Sequence, residues 1–225
     1  MIAKLLLQNL LWRAFLGALL LGAAGTLDWP RAWIFLAEMT VLGIAAGLWL
    51  ARHDPALLRE RLRAPVQRGQ PLTDKLVTSA LLLASCLWLV LMGLDAGRFR
   101  WSAMPEWLAV VGALALPVFV WACCLVFRAN SFAAPVVKLQ EERRQQVAST
   151  GPYRHVRHPM YASAILYFLA VALLLGSWWG LAAVPVLVAL LGLRIWIEER
   201  TLMAGLPGYA DYAARVRYRL VPGLW

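Results

Sequence analysis

The chain has 225 residues, of which 62% are hydrophobic and only 15% charged, a balance that excludes an ordinary water-soluble domain. Its net charge of +10 does not point to nucleic acid, because the basic residues cluster in alternate connections between apolar runs. An all-α, multi-spanning integral membrane bundle of about six helices is the architecture these properties predict.

In chain order, apolar runs long enough to cross about 30 Å of hydrocarbon lie at Leu5 to Leu27, Arg31 to Ala51, Lys75 to Leu94, Trp107 to Phe127, Pro159 to Leu175 and Trp178 to Ile197. The first, with Lys4 before it and small residues near Gly22 to Gly25, has some features of a signal peptide. Kept as a span, it gives an even number of crossings and a consistent charge pattern. Arg52, Arg59, Arg61, Arg63, Arg68 and Lys75 lie between the second and third spans. Arg128, Lys138, Arg143, Arg144, Arg154 and Arg157 lie between the fourth and fifth, and Arg194, Arg200, Arg215, Arg217 and Arg219 close or follow the sixth. The remaining connections carry only Arg31, Arg98 and Arg100. The positive-inside rule then puts both termini and the two long loops in the cytoplasm of an inner-membrane protein, and anionic lipid is a sufficient partner for the basicity.

Residues 1–127 read as a membrane scaffold and 128–225 as the part carrying chemistry, with no internal repeat. Cys86, Cys123 and Cys124 fall inside apolar runs, and no Cys/His spacing suits a metal. The Gly176–Gly180 turn, GSWWG, leaves almost nothing between the last two spans, which predicts a tight hairpin with Trp178 and Trp179 at the interface.

Polar residues concentrate at GPYRHVRHPMY, Gly151 to Tyr161, at the mouth of the fifth span. Pro159 suits the first turn of a helix, so His158 and Pro159 open that span and Tyr161 falls in its first turn. The helix N-terminus with Arg157 suits an anion. A snorkelling rim of Arg154, Arg157 and His158 against headgroups is the alternative. At the end of the sixth span, Arg194 and Glu198 share a helix face, and either pair with each other or bind the two ends of a zwitterion. Adjacent carboxylates Glu198 and Glu199 on a basic face suit an organic cation. With Tyr153, Tyr161, Tyr209 and Tyr212 for stacking, the set fits S-adenosylmethionine better than a nucleotide phosphate, and no GxGxxG or phosphate loop is present.

The run from Asn130 through GPYRHVRHPMY, the short hairpin, Arg194, Glu198-Glu199, Leu202 and a tail with Tyr209 and Tyr212 resembles the isoprenylcysteine carboxyl methyltransferase family over roughly the C-terminal two-fifths. The turn from Leu94 to Trp101 also looks like bacterial members. The resemblance implies a helical membrane enzyme that uses S-adenosylmethionine to methylate a lipophilic or small acceptor, such as the carboxylate of an S-prenylcysteine, at the cytosolic face. It implies cofactor contacts from Gln140, from a strand-like stretch of Gln145, Gln146, Val147 and Ala148, and from Tyr153, His158, Pro159, Tyr161, Glu198 and Glu199. Arg194 and Glu198 are then the catalytic positions, with Arg194 orienting the acceptor. The tail departs from the family at Gly205, Leu206, Pro207 and Gly208. Thiol or phospholipid-amine methylation, an NADPH-dependent lipid or steroid reductase relative with a similar terminal hairpin, and a non-enzymatic lipid-binding scaffold are the rival readings. Apolar residues such as Leu166, Phe168 and Trp196 are candidates to admit a lipid tail from the side, or are ordinary packing.

Overall fold

The computed structural model describes residues 1–64, 66–67 and 70–225; Pro65 and Arg68, which the sequence places in a basic loop, lie outside the described residues. The protein is a multi-spanning helical membrane bundle. Among the described residues, five helices are long and apolar enough to cross a bilayer: α1 (Ile2–Ala24), α2 (Pro30–His53), α4 (Leu72–Met92, continued to Phe99 by a wider π-helical turn), α5 (Glu106–Ala129) and α7 (Trp178–Gly205). Short α3 (Pro55–Arg61) and α8 (Tyr209–Arg215) lie outside them, and α6 (Pro159–Leu175) is apolar but has only 17 residues. Six apolar segments are therefore present as expected, one of them short. At 1.5 Å per residue, α6 measures about 25 Å, a little less than the hydrocarbon thickness.

A buried core runs between α1, α2, α4, α5, α6 and α7, with Leu20, Phe35, Met92, Leu116, Val171 and Leu187 closed to solvent. The outer faces stay apolar, with Leu11, Val41, Leu83, Leu114, Trp121 and Val186 exposed. A helix hydrophobic all round belongs in lipid, where the gain comes from tight packing rather than water release. Backbones approach closely at Gly112 of α5, where an added Cβ would lie 2.4 Å from Leu174 N and 2.5 Å from Ala170 O of α6. Glycine there lets two backbones touch.

The turn between α6 and α7 is tighter than the five-residue GSWWG segment. Gly176 adopts φ +78°, a left-handed cap that returns its N–H to Ala172 and Leu173 carbonyls, and Ser177 caps α7 by accepting the Gly180 N–H at 2.8 Å. Trp178 and Trp179 are thus already helical, and both are exposed. The turn is bolted by Asp95, fully buried, which accepts from Ser177 Oγ at 2.5 Å and Ser102 Oγ at 2.6 Å. That fixes α7 in height. Glu198 lies 20 residues along from Trp178, about 30 Å away, at the opposite membrane boundary.

Candidate active site

At that opposite end, a cavity of about 420 Å³ opens between α3, the middle of α4, the C-terminal half of α5, the 130–148 connection, α6, α7 and α8. It is within the size range of small-molecule sites. Gln145, Gln146, Val147, Ala148, Tyr153, His158, Tyr161, Arg194 and Glu198 all line it. Gln140, Pro159 and Glu199 do not.

Each wall has a local cause. His158 precedes α6 and Pro159 occupies its first turn, as the proline suggests. Tyr161, one turn in, donates its phenol to Glu198 Oε2 at 2.6 Å, joining α6 to α7. Tyr153 is buried in a short 3₁₀ turn begun by Gly151 at φ +57°, and its phenol oxygen accepts Asn130 Nδ2 at 2.8 Å. Burial pushes the Tyr153 phenol above its ordinary range. It is held as a neutral group. Residues 145–148 are irregular, and no strand forms among the described residues: Gln145 spends its side chain on Gln140 N at 2.8 Å, and the stretch has no neighbouring strand to pair with. This corrects the expected strand-like geometry while leaving those residues on the cavity wall. Gln140 is buried beside it, its amide donating to Phe132 O and accepting Arg143.

The adjacent carboxylates diverge. Glu198 faces the cavity and accepts only Tyr161 among the described residues, with no basic partner. Glu199, about 100° further round the helix, is buried and accepts Arg157 Nε at 2.6 Å, His158 Nε2 at 3.2 Å and Arg219 Nε at 2.9 Å. Arg157 also donates to the carbonyls of Val216 and Arg217. The N–H groups of Arg157 and His158 are taken by the Tyr218 and Arg219 carbonyls, both at 2.9 Å. The basic helix mouth, read in sequence as an anion site or a lipid rim, is instead closed by the C-terminal tail; only Arg154 and His155 remain exposed.

Arg194 does not pair with Glu198. Its Nε donates to Asp74 Oδ1 at 3.3 Å and an Nη donates to the Pro135 carbonyl, while its guanidinium sits 5.9 Å from the Tyr161 ring centroid. Asp74, on α4 and fully buried, also accepts Gln70 Nε2 at 2.5 Å and Val137 N at 3.1 Å. Sequence reading missed it: one Asp beside Lys75 at a span's edge gives no local signal. Two more wall residues stand out: Arg61, which the sequence did not mark as a ligand residue, and Tyr209, which it marked only for stacking. Arg61, from α3, donates to Ala133 O at 2.9 Å and stacks 4.4 Å from the Phe127 ring. Tyr209, 4% exposed, has its phenol oxygen buried with no hydrogen-bond partner among the described residues.

Away from these polar groups, the same cavity runs between the helices past Leu81, Leu82, Phe119, Tyr167, Phe168 and Leu191. Phe168 is therefore on the wall, whereas Trp196 faces outward under Arg200, 3.5 Å from its ring centroid.

A phospholipid methyltransferase family model, PEMT, matches residues 107–206. The matched part is under half the chain and runs from α5 to the end of α7, so it contains Tyr153, His158, Tyr161, Arg194 and Glu198 but neither Arg61, Asp74 nor the tail. It supports a membrane methyltransferase, from a family related to the one the sequence resembles. No curated protein matches the chain.

Proposed function

We propose that the protein is an S-adenosylmethionine-dependent methyltransferase that acts on a lipophilic carboxylate, such as an S-prenylcysteine, at the cytosolic face of the membrane. The observation that carries the reading is one cavity with two characters: a polar end of Tyr153, His158, Tyr161, Arg194 and Glu198, continuous with an apolar arm between membrane helices.

The residues fit the donor. Among the described residues, Glu198 offers a carboxylate without a basic partner and Tyr209 an unsatisfied buried phenol, and Arg61 and Arg194 offer cations. When bound, the donor supplies an electrophilic methyl group. Glu198 then holds positive charge on the ligand, and Tyr161 holds Glu198 in place by its 2.6 Å bond. Arg194, fixed by Asp74 and Pro135, orients the acceptor's acid group. The acceptor carboxylate is ionised at neutral pH and needs no base. The chain's contribution is therefore positioning and exclusion of water. His158, with Nε2 donating to Glu199, belongs to the binding wall rather than to proton transfer.

A second reading, methylation of a phospholipid amine, is favoured by the family match and by the charge of Glu198. There Glu198 takes the ammonium proton before attack.

Calorimetry of S-adenosylhomocysteine with protein in nanodiscs tests the donor, and labelled methyl transfer across S-prenylcysteine, thiol and phosphatidylethanolamine acceptors separates the acceptors. Binding of NADPH but not S-adenosylhomocysteine overturns the reading in favour of a reductase.

A further inference from the structure

One cation on the cavity wall stands without a counter-charge among the described residues. Among the described residues, Glu60 is shared by Arg63 at 2.9 Å and Lys138 at 3.2 Å, Asp74 holds Arg194, and Glu199 holds Arg157, His158 and Arg219. Glu198 binds a tyrosine. Every one of these carboxylates is engaged, yet Arg61 has none.

Among the described residues, the Arg61 guanidinium makes one hydrogen bond, to Ala133 O, and one ring contact, to Phe127, neither of which cancels its charge. Arg61 also lines the cavity together with Glu198. Desolvating a cation without a counter-charge is costly. Burial accordingly lowers the Arg61 pKa, outweighing the opposing influence of Cys123 and Tyr153. Arg194, by contrast, reaches the same cavity with its charge already offset by Asp74. Of the two guanidinium groups, Arg61 exerts the stronger pull on an anion.

We propose that Arg61 is an anion-binding residue of the cavity in addition to Arg194, receiving a carboxylate or phosphate of a bound ligand while Glu198 receives a cationic part. This rests on the methyltransferase reading and adds to it a residue from α3, outside the region that the family model matches. Two sources offer that anion: the amino-acid carboxylate of the methyl donor, or the acid group of the acceptor.

The test uses full-length protein in nanodiscs and the variant Arg61→Gln, with Arg61→Lys, which keeps charge but loses the planar fork, as a second. Loss of a charge-assisted hydrogen bond in a desolvated site should weaken binding by about 10- to 100-fold. If the donor carboxylate is the ligand, Arg61→Gln weakens S-adenosylhomocysteine by that factor and leaves 5′-methylthioadenosine, which lacks the amino-acid end, unchanged. If the acceptor supplies the anion, both nucleosides bind as before, and KM for S-farnesylcysteine or vesicular phosphatidylethanolamine rises with kcat steady. Arg61→Lys falls between Arg61→Gln and wild type in either case. Unchanged values throughout, or equal weakening of both nucleosides with a lowered melting temperature, overturn the proposal by leaving Arg61 only its contacts to Ala133 and Phe127. Absence of S-adenosylhomocysteine binding by wild-type protein refutes the methyltransferase reading itself, and Arg61's part with it.

Discussion

Removing Asp74 should be strongly destabilising although it lies off the cavity wall. Asp74→Ala strips Arg194 of its only carboxylate among the described residues and leaves the Val137 N–H without its acceptor. With charge centres about 4 Å apart and an effective dielectric constant of about 20, the pair's attraction is about 4 kcal/mol. Truncating one partner of a buried pair costs about 3–5 kcal/mol, because the survivor stays desolvated. For a chain of this size each kcal/mol shifts Tm by about 2–4 °C, so Asp74→Ala should lower apparent Tm by about 6–20 °C, read by tryptophan fluorescence in detergent. Arg194→Leu alone relieves the buried charge on its own side. In that background Asp74→Ala should cost less, leaving a coupling of about 2 kcal/mol in the double-mutant cycle. Additivity within about 0.5 kcal/mol would refute the claim that Asp74 acts through Arg194.

Glu198→Gln keeps an acceptor for Tyr161 but loses the charge; methyl transfer should fall about 10- to 100-fold, measured with radiolabelled donor, and a wild-type rate would remove Glu198 from the site. Glu199→Ala should free Arg157, His158 and Arg219 together, and so loosen the C-terminal tail, seen as faster amide exchange at 216–220; protection equal to wild type argues against the strut. Gly112→Leu should drive α5 from α6 and abolish recovery of folded protein, whereas folded, active protein would show that the interface yields. Tyr212, buried and donating to Tyr153 O at 2.9 Å, has its phenol pushed up to about 12, mainly by burial. A phenol raised above its unfolded value of about 10 stabilises the fold fully below pH 10 and loses that contribution as pH climbs toward 12. The Tm gap between wild type and Tyr212→Phe should therefore narrow over that window; a constant gap excludes the linkage.

What was legible in the sequence is what local rules encode. Length and apolarity mark each span, Pro159 marks the start of α6, and Gly176 marks its end. The residues of GPYRHVRHPMY, Arg194 and Glu198 form recognisable spacings, and Tyr153, His158, Tyr161, Arg194 and Glu198 do meet on one cavity. Arg61 was legible only as one of several loop bases, because its isolation depends on Glu60 being taken by Lys138, 78 positions further along. Asp74 and Arg194 lie 120 residues apart, so their pairing has no periodicity to reveal it. The tail's capture of the α6 N-terminus runs through the carbonyls of Tyr218 and Arg219, and backbone acceptors carry no sequence identity.

The Glu198-Glu199 doublet shows why two carboxylates stand on so basic a surface. A helix turns about 100° per residue, so neighbours cannot serve one ligand from one face. Glu199 points into the protein, where three basic side chains converge on it and hold the 157–158 segment and the tail against α7. Without it, those charges would repel one another behind His158. Glu198 points into the cavity, where Glu199 has drawn away Arg157, His158 and Arg219, Asp74 holds Arg194, and among the described residues only Tyr161 donates to it. Because Glu199 neutralises the surroundings, Glu198 keeps its charge available for a ligand. The strut is thus a condition for the binding site, and its loss should disturb ligand affinity even though Glu199 is not on the cavity wall.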